Sequence, residues 1–156
     1  MKKIIPVFLM FAALGAEAQP LTLSKNPEHV LTLLSAVWEA EAHSASDRNR
    51  YRMKANMASA YWIMGKNVDA GSHFQQAGEE IPEEADGLAV LATAKMIEGA
   101  YEAAVDISRQ ALDLKPDCER AAGVLLETAP KDAPWEDLQA SLSEDLQQRA
   151  EVLIAL

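Results

Sequence analysis

Cysteine is nearly absent: Cys118 is the only one in 156 residues, so no internal disulfide can form and stability must come from packing. With no second cysteine for redox or metal chemistry, a buried thiol is the expectation there. Positive charge is scarce as well. Lys and Arg number 14 against 24 Asp and Glu, a formal charge of −10, and such an acidic surface argues against nucleic acid as partner and against adsorption to anionic lipid. Past Gln19 no segment is apolar over a bilayer-spanning length, because charges break every stretch within a few residues. Catalytic constellations are missing too. His29, His43 and His73 lie in separate segments without metal-ligand spacing, no glycine-rich loop cradles phosphate, and no strand-turn-helix presents a nucleophilic serine. An enzyme, a resident metal and a cofactor are therefore not expected.

What is present begins with Lys2 and Lys3, an apolar run over residues 4–14, and then Gly15-Ala16-Glu17-Ala18. Charge, apolar core and small residues in that order read as a secretory signal peptide over residues 1–18, cut after Ala18. The apolar run is about half of the roughly 20 residues that a membrane anchor needs. No cysteine stands beside the cut for lipid attachment, so the mature chain is expected to be a periplasmic or secreted protein.

A register of 34 residues organises the middle of the chain. Gly65 recurs as Gly99, Ala70 as Ala104, Ala77 as Ala111, Pro82 as Pro116 and Ile63 as Ile97. Each identity falls where a helical hairpin needs it. The glycines suit a left-handed residue that ends a helix. The alanines, seven apart within each copy, share a helix face and let two helices approach closely. The prolines stand near the end of each second helix, where they remove a backbone donor and stop it. The repeats are 51–84 and 85–118, preceded by a linker and helix over 19–50 and followed by a degenerate third pair with a capping helix over 119–156.

These residues resemble the tetratricopeptide repeat (TPR) family of 34-residue helix pairs. The second copy carries Ala92, Gly99, Tyr101, Ala104, Ala111 and Pro116 at the family's positions, and the first carries Ala58, Tyr61, Gly65, Ala70, Phe74, Ala77 and Pro82. The first copy departs at Lys54, where an apolar residue is usual, at Asn67, where an aromatic is usual, and at Gly78, where leucine is usual. Gly78 is expected to loosen its helix by about 1 kcal/mol. The resemblance implies an all-α solenoid of helical hairpins that binds another protein without catalysis.

Flanking segments also read as helix. Asn26-Pro27-Glu28 offers a cap and an acidic first turn, and Val30, Leu33, Leu34, Val37 and Trp38 follow on one apolar face. Ala36 lies a further 34 residues before Ala70 and extends the register. Residues 119–129 predict one more helix, stopped by Pro130. A final helix from residues 132–134 onward carries Trp135, Leu138, Leu142, Leu146, Ala150 and Leu153 on one stripe, suited to capping the array.

In the TPR family the first helices of successive pairs line a concave groove. Carried over by position, the resemblance implies groove residues Arg52, Ala55, Asn56, Ser59, Trp62 and Ile63, then Asp86, Ala89, Val90, Thr93, Met96 and Ile97. Asn56 both donates and accepts, as fixing an extended backbone requires. The rival reading for each is packing between repeats. Elsewhere, the pairs Glu79-Glu80 and Glu83-Glu84 around Pro82 read as a solvated turn. Met53, Met57, Met64 and Met96 read as core filling. The alternative function is a small-ligand or metal-binding protein using its methionines and histidines.

Overall fold

The computed structural model describes residues 26–130 and 134–148; the signal-peptide reading over 1–18, and Ala150 and Leu153, lie outside the described residues. Among those described there is no strand. Among the described residues seven helices follow one another, α1 (Pro27–Glu41), α2 (Asp47–Ile63), α3 (Asn67–Glu80), α4 (Ala85–Ile97), α5 (Tyr101–Leu114), α6 (Glu119–Thr128) and the short α7 (Trp135–Gln139), and a further helical stretch covers 144–148. From α1 to α6 each packs on its neighbour in sequence, and α4 also packs on α6. No described helix is long and apolar enough to cross a membrane.

The 34-residue register reappears in the turns. Gly65 (φ 74°) ends α2 and Gly99 (φ 80°) ends α4, the two positive-φ glycines among the described residues. Beyond α2, the Lys66 amide donates to the Tyr61 carbonyl and the Gly65 amide to that of Trp62, both at 2.9 Å. Beyond α4, the Ala100 amide donates to Lys95 at 2.9 Å and the Gly99 amide to Met96 at 3.1 Å. These are two copies of one C-terminal cap, which satisfies carbonyls that the helix end leaves free. The prolines punctuate the second helices as expected. Glu84 donates to the Ile81 carbonyl, and Cys118 to that of Lys115, closing turns with Pro82 and Pro116 at the second position, where proline's fixed φ fits.

Small residues set the spacing between helices. Ala58, Ala70, Ala77, Ala89, Ala92, Ala104 and Ala111 have no exposed surface, so their helices approach with little between them. Gly78 serves the same end. A Cβ there would stand 2.2 Å from Leu91 Cγ, and one at Gly87 would stand 2.0 Å from the Ile81 carbonyl oxygen. The leucine usual in the family at Gly78 has no room, so the glycine is a contact point and does not merely loosen the helix.

Three apolar clusters bridge successive hairpins. The first joins Ala55 and Ala58 of α2, Phe74 and Ala77 of α3, and Val90 and Ala94 of α4. The second joins Ala92 and Met96 with Ala104 and Val124, with Trp62 packed against them. The third joins Ala89, Ala111 and Leu112 with Ala121, Ala122, Leu125, Leu142 and Leu146. Neighbouring units thus share their core, and burial of Phe74 alone contributes about 1.5–3 kcal/mol.

Three expectations need correction. Asn26 occupies the N-cap of α1 but makes no side-chain cap bond. The apolar face of α1 divides: Leu33 is 54% and Val37 41% exposed, α1 has no buried residue, and Ala36 is exposed where Ala70 is buried. Among the described residues α1 packs chiefly onto α2, which covers one of its sides. Finally, the C-terminal stripe is not one helix. α7 stops at Gln139, residues 140–143 turn, and residues 144–148 are helical again. Ser143 caps the second piece, its Oγ accepting from the Leu146 amide at 3.4 Å, while Gln147 Nε2 donates to the Gln139 and Leu142 carbonyls at 2.9 Å. The stripe survives the break: Leu142 and Leu146 are buried, with Leu138 beside them.

Candidate partner-binding face and its polar pocket

The groove residues implied by the sequence come from α2 and α4, and they reach different depths. On α2, Arg52 is exposed and Asn56, Trp62 and Ile63 are half-buried. Asn56 Oδ1 is buried without a hydrogen-bond partner. Trp62 stands edge-on to Phe74 with ring centroids 6.0 Å apart. Ser59 is buried, its hydroxyl donating to the Ala55 carbonyl at 2.9 Å.

On α4 most of the row turns inward. Val90 and Thr93 have no exposed surface and Met96 is 8% exposed. Thr93 Oγ1 donates to the Ala89 carbonyl at 2.9 Å. α6 packs against α4, and Val124 clusters with Met96. Ala55 and Ala89 are likewise buried. Val90 and Thr93 therefore belong to the core and not to a groove lining. Asp86 and Ile97 keep partial exposure. Of the implied groove residues, Arg52 is thus exposed and Asn56, Trp62, Ile63, Asp86 and Ile97 are partly accessible.

Ion pairs tie one end of this face together. Arg48 pairs with Glu84 and, at 3.1 Å, with Asp86; Lys115 approaches Asp86 at 3.6 Å. Arg50 Nε donates to Glu80 at 2.7 Å and Lys54 Nζ donates to Glu80 at 2.6 Å. Lys54 also lies 5.0 Å from the centroid of Trp38, which accounts for a lysine where the family prefers an apolar residue. Glu80 is thus a partly buried anchor for two cations, and not part of a freely solvated acidic turn. Burial alone would raise its carboxyl, but the hydrogen bonds from Lys54 and Arg50 outweigh that and hold it below the usual carboxylate range.

Beside these pairs lies a pocket of about 280 Å³ between α2, α4 and the start of α6, with Tyr51, Asp86, Lys115, Cys118 and Arg120 in its wall. Arg120 was not among the residues read from sequence. It is 3% exposed and neither Nη atom has a hydrogen-bond partner. Its guanidinium carbon lies 5.2 Å from the centroid of Phe74. Burial pushes the Tyr51 hydroxyl and the Cys118 thiol up from their ordinary values, so both are neutral near pH 7. The signal that finds Arg120 is the register itself, since Arg52, Asp86 and Arg120 are spaced by 34 residues.

Residues with other candidate chemistry stay apart. His73 Nδ1 lies 2.9 Å from the Asp69 carbonyl and its ring is tilted against Tyr61 with centroids 4.9 Å apart, while His29 and His43 are exposed. Met57 and Met96 are buried and Met53 and Met64 half-buried. Among the described residues no three His, Cys, Asp or Glu side chains gather as a metal site would require. A search among known proteins finds no matching family model, no matching curated protein and no matching solved structure.

Proposed function

We propose that this chain is an exported, TPR-like helical-repeat protein that works without catalysis, holding another protein as part of an envelope assembly. The observation that carries the reading is the pair of matching helix corners at Gly65 and Gly99, repeated at the TPR spacing within a core that adjoining hairpins share. Arrays of this kind stack units into an extended surface and use it for binding. The signal-like order of residues 1–18 supports export, with the mature chain starting at Gln19. The contact face in this reading runs over the accessible residues Arg52, Asn56, Ile63, Asp86 and Ile97.

Capture from envelope extract tests it. The mature chain is compared with an Arg52→Glu, Asn56→Ala double variant, chosen because Arg52 is exposed and Asn56 half-buried, whereas Trp62 packs on Phe74. The expected result is a specific protein recovered by the wild type and reduced at least about tenfold by the variant, as loss of roughly 1.4 kcal/mol of contact gives. Equal recovery by both proteins defeats the assignment of the face.

A further inference from the structure

Apolar surface and negative charge meet along one side of α3. Val68, Ser72, Gln75 and Glu79 follow one another at helical spacing and form a single row on that helix. With Gly71, and with Ile97 and Glu98 at the end of α4, they wall a groove of about 550 Å³.

The two ends of the groove differ. At one end Val68 is 87% exposed, the most exposed large hydrophobic residue among those described. Gly71 keeps the floor beside it low, and Ile97 Cγ2 lies 3.5 Å from where a Cβ on that glycine would stand. Apolar side chains gathered at a groove, unlike ones scattered singly, mark a place where something docks. At the other end Glu79 is exposed and accepts from the neutral Gln75 amide, Nε2 to Oε1, at 2.8 Å. Among the described residues no ion pair reaches Glu79. Glu98 is met by Lys95 at 2.9 Å. α3 contains no lysine or arginine, and the groove wall adds none. The carboxylate of Glu79 is therefore the uncompensated charge of the groove, and the Gln75 bond restrains it there.

We propose that this groove docks an amphipathic basic helix of another protein, with an aliphatic side chain over Gly71 and a lysine or arginine paired with Glu79. Built on α3, it goes beyond the preceding reading, whose test residues Arg52 and Asn56 lie on α2. Charge selects the class of partner. In a chain of net charge −10 an uncompensated carboxylate repels nucleic acid and anionic lipid and attracts a cation. Spacing selects the form. Gly71 and Glu79 are about 12 Å apart along α3, the span of residues roughly seven or eight apart in a second helix. A helix satisfies its own backbone and needs only the side-chain contacts that a helical wall offers, whereas an extended segment looks for backbone partners that α3 has already used.

The test follows the backbone amide NMR signals of the whole mature protein as capped helical peptides of about 16 residues, built on alanine and glutamine, are added. One peptide carries leucine about two turns before lysine, and a second carries them in reverse order, because either direction along α3 satisfies the geometry. One of the two is expected to shift residues 68–79 and 97–98 saturably, with half-saturation at roughly 0.1–1 mM, as two side-chain contacts give. Glutamate in place of the lysine is expected to abolish the shift. Val68→Ser and Glu79→Lys alter exposed side chains, so both variants should keep the native amide spectrum and bind the peptide at least about fivefold more weakly. Absence of saturation by both peptides, an equal response to the glutamate peptide, unchanged binding by either variant, or saturation by butylamine as tight as by the peptide overturns the proposal. So does movement of the same signals on dilution of the protein alone, which assigns the groove to a second copy. Ile97 borders this groove and belongs to the earlier face as well, so it is left unaltered. The Arg52→Glu, Asn56→Ala variant is expected to bind the peptide as the wild type does; loss of binding there places the peptide on the earlier face and overturns this assignment alone.

Discussion

Three glycines of the adjoining helices α3 and α4 should respond to the same substitution with opposite signs. Gly71 and Gly78 lie in α3, and Gly87 lies in the first turn of α4. A Cβ at Gly71 would meet Ile97 Cγ2 at 3.5 Å, an ordinary contact. Gly71→Ala therefore gains helix propensity and should stabilise the protein by about 0.5–1 kcal/mol. At Gly87 the added carbon would stand 2.0 Å from the Ile81 carbonyl oxygen and 2.9 Å from its carbonyl carbon. Backbone cannot rotate away as a side chain does, so the turn between α3 and α4 must shift. Overpacking of this kind costs about 1–3 kcal/mol and more when backbone moves, which outweighs the propensity gain; a net loss of about 3 kcal/mol is expected. Gly78→Ala falls between, because its 2.2 Å clash is with the Leu91 side chain, which can change rotamer, although the Gly87 carbonyl oxygen at 2.9 Å cannot. A loss of about 1–2 kcal/mol is expected there. Urea unfolding followed by far-UV circular dichroism measures all three at a common slope. Gly87→Ala as stable as wild type, or Gly71→Ala and Gly87→Ala moving the midpoint in the same direction, would refute the close approach of α3 and α4.

Glu80→Gln should cost about 1–3 kcal/mol at neutral pH, because it strips the anion from two partly buried cations, Lys54 and Arg50. The folded carboxyl titrates below its ordinary value of 4.5, so its stabilisation is fully present above that pH and fades as pH falls through the lowered folded value. The gap between wild type and variant should hold from neutral pH to about pH 5 and close in stronger acid; Glu127, which burial shifts upward, is common to both and cancels. A gap that widens on acidification contradicts the pairing. Cys118 is 5% exposed with its thiol raised by burial, so its reaction with a disulfide reagent should be at least ~100-fold slower in native than in urea-unfolded protein. Equal rates would place the thiol at the surface.

The hairpins were legible because their markers are local. Gly65 and Gly99 need a left-handed backbone, Pro82 and Pro116 fit one turn position, and the alanines between them need only lie on a helix face. None of these demands depends on what packs elsewhere. The C-terminal break was less legible because Leu138, Leu142 and Leu146 keep helical spacing across it. A competing signal was present in Ser143-Glu144-Asp145, a cap followed by an acidic first turn. In the structure the cap prevails while the leucines still reach the core.

Depth explains why the candidate face was read less well than the fold. Spacing by 34 puts Asn56 and Val90 at one place in the register, yet Asn56 is half-buried and Val90 fully buried. A register fixes which side of a helix a residue is on. What covers that side depends on the next unit along the array. Beside α4 stands α6, with Val124 against Met96. The same register places Arg120 but does not show that it is buried. Arg52, Asp86 and Arg120 share one place in the register, yet Arg52 is exposed and Arg120 buried. Asp86 is taken up by Arg48 and Lys115, so it cannot serve Arg120 as an exclusive partner. Such pairs join residues from different helices and turns, and they become visible only once the chain is folded.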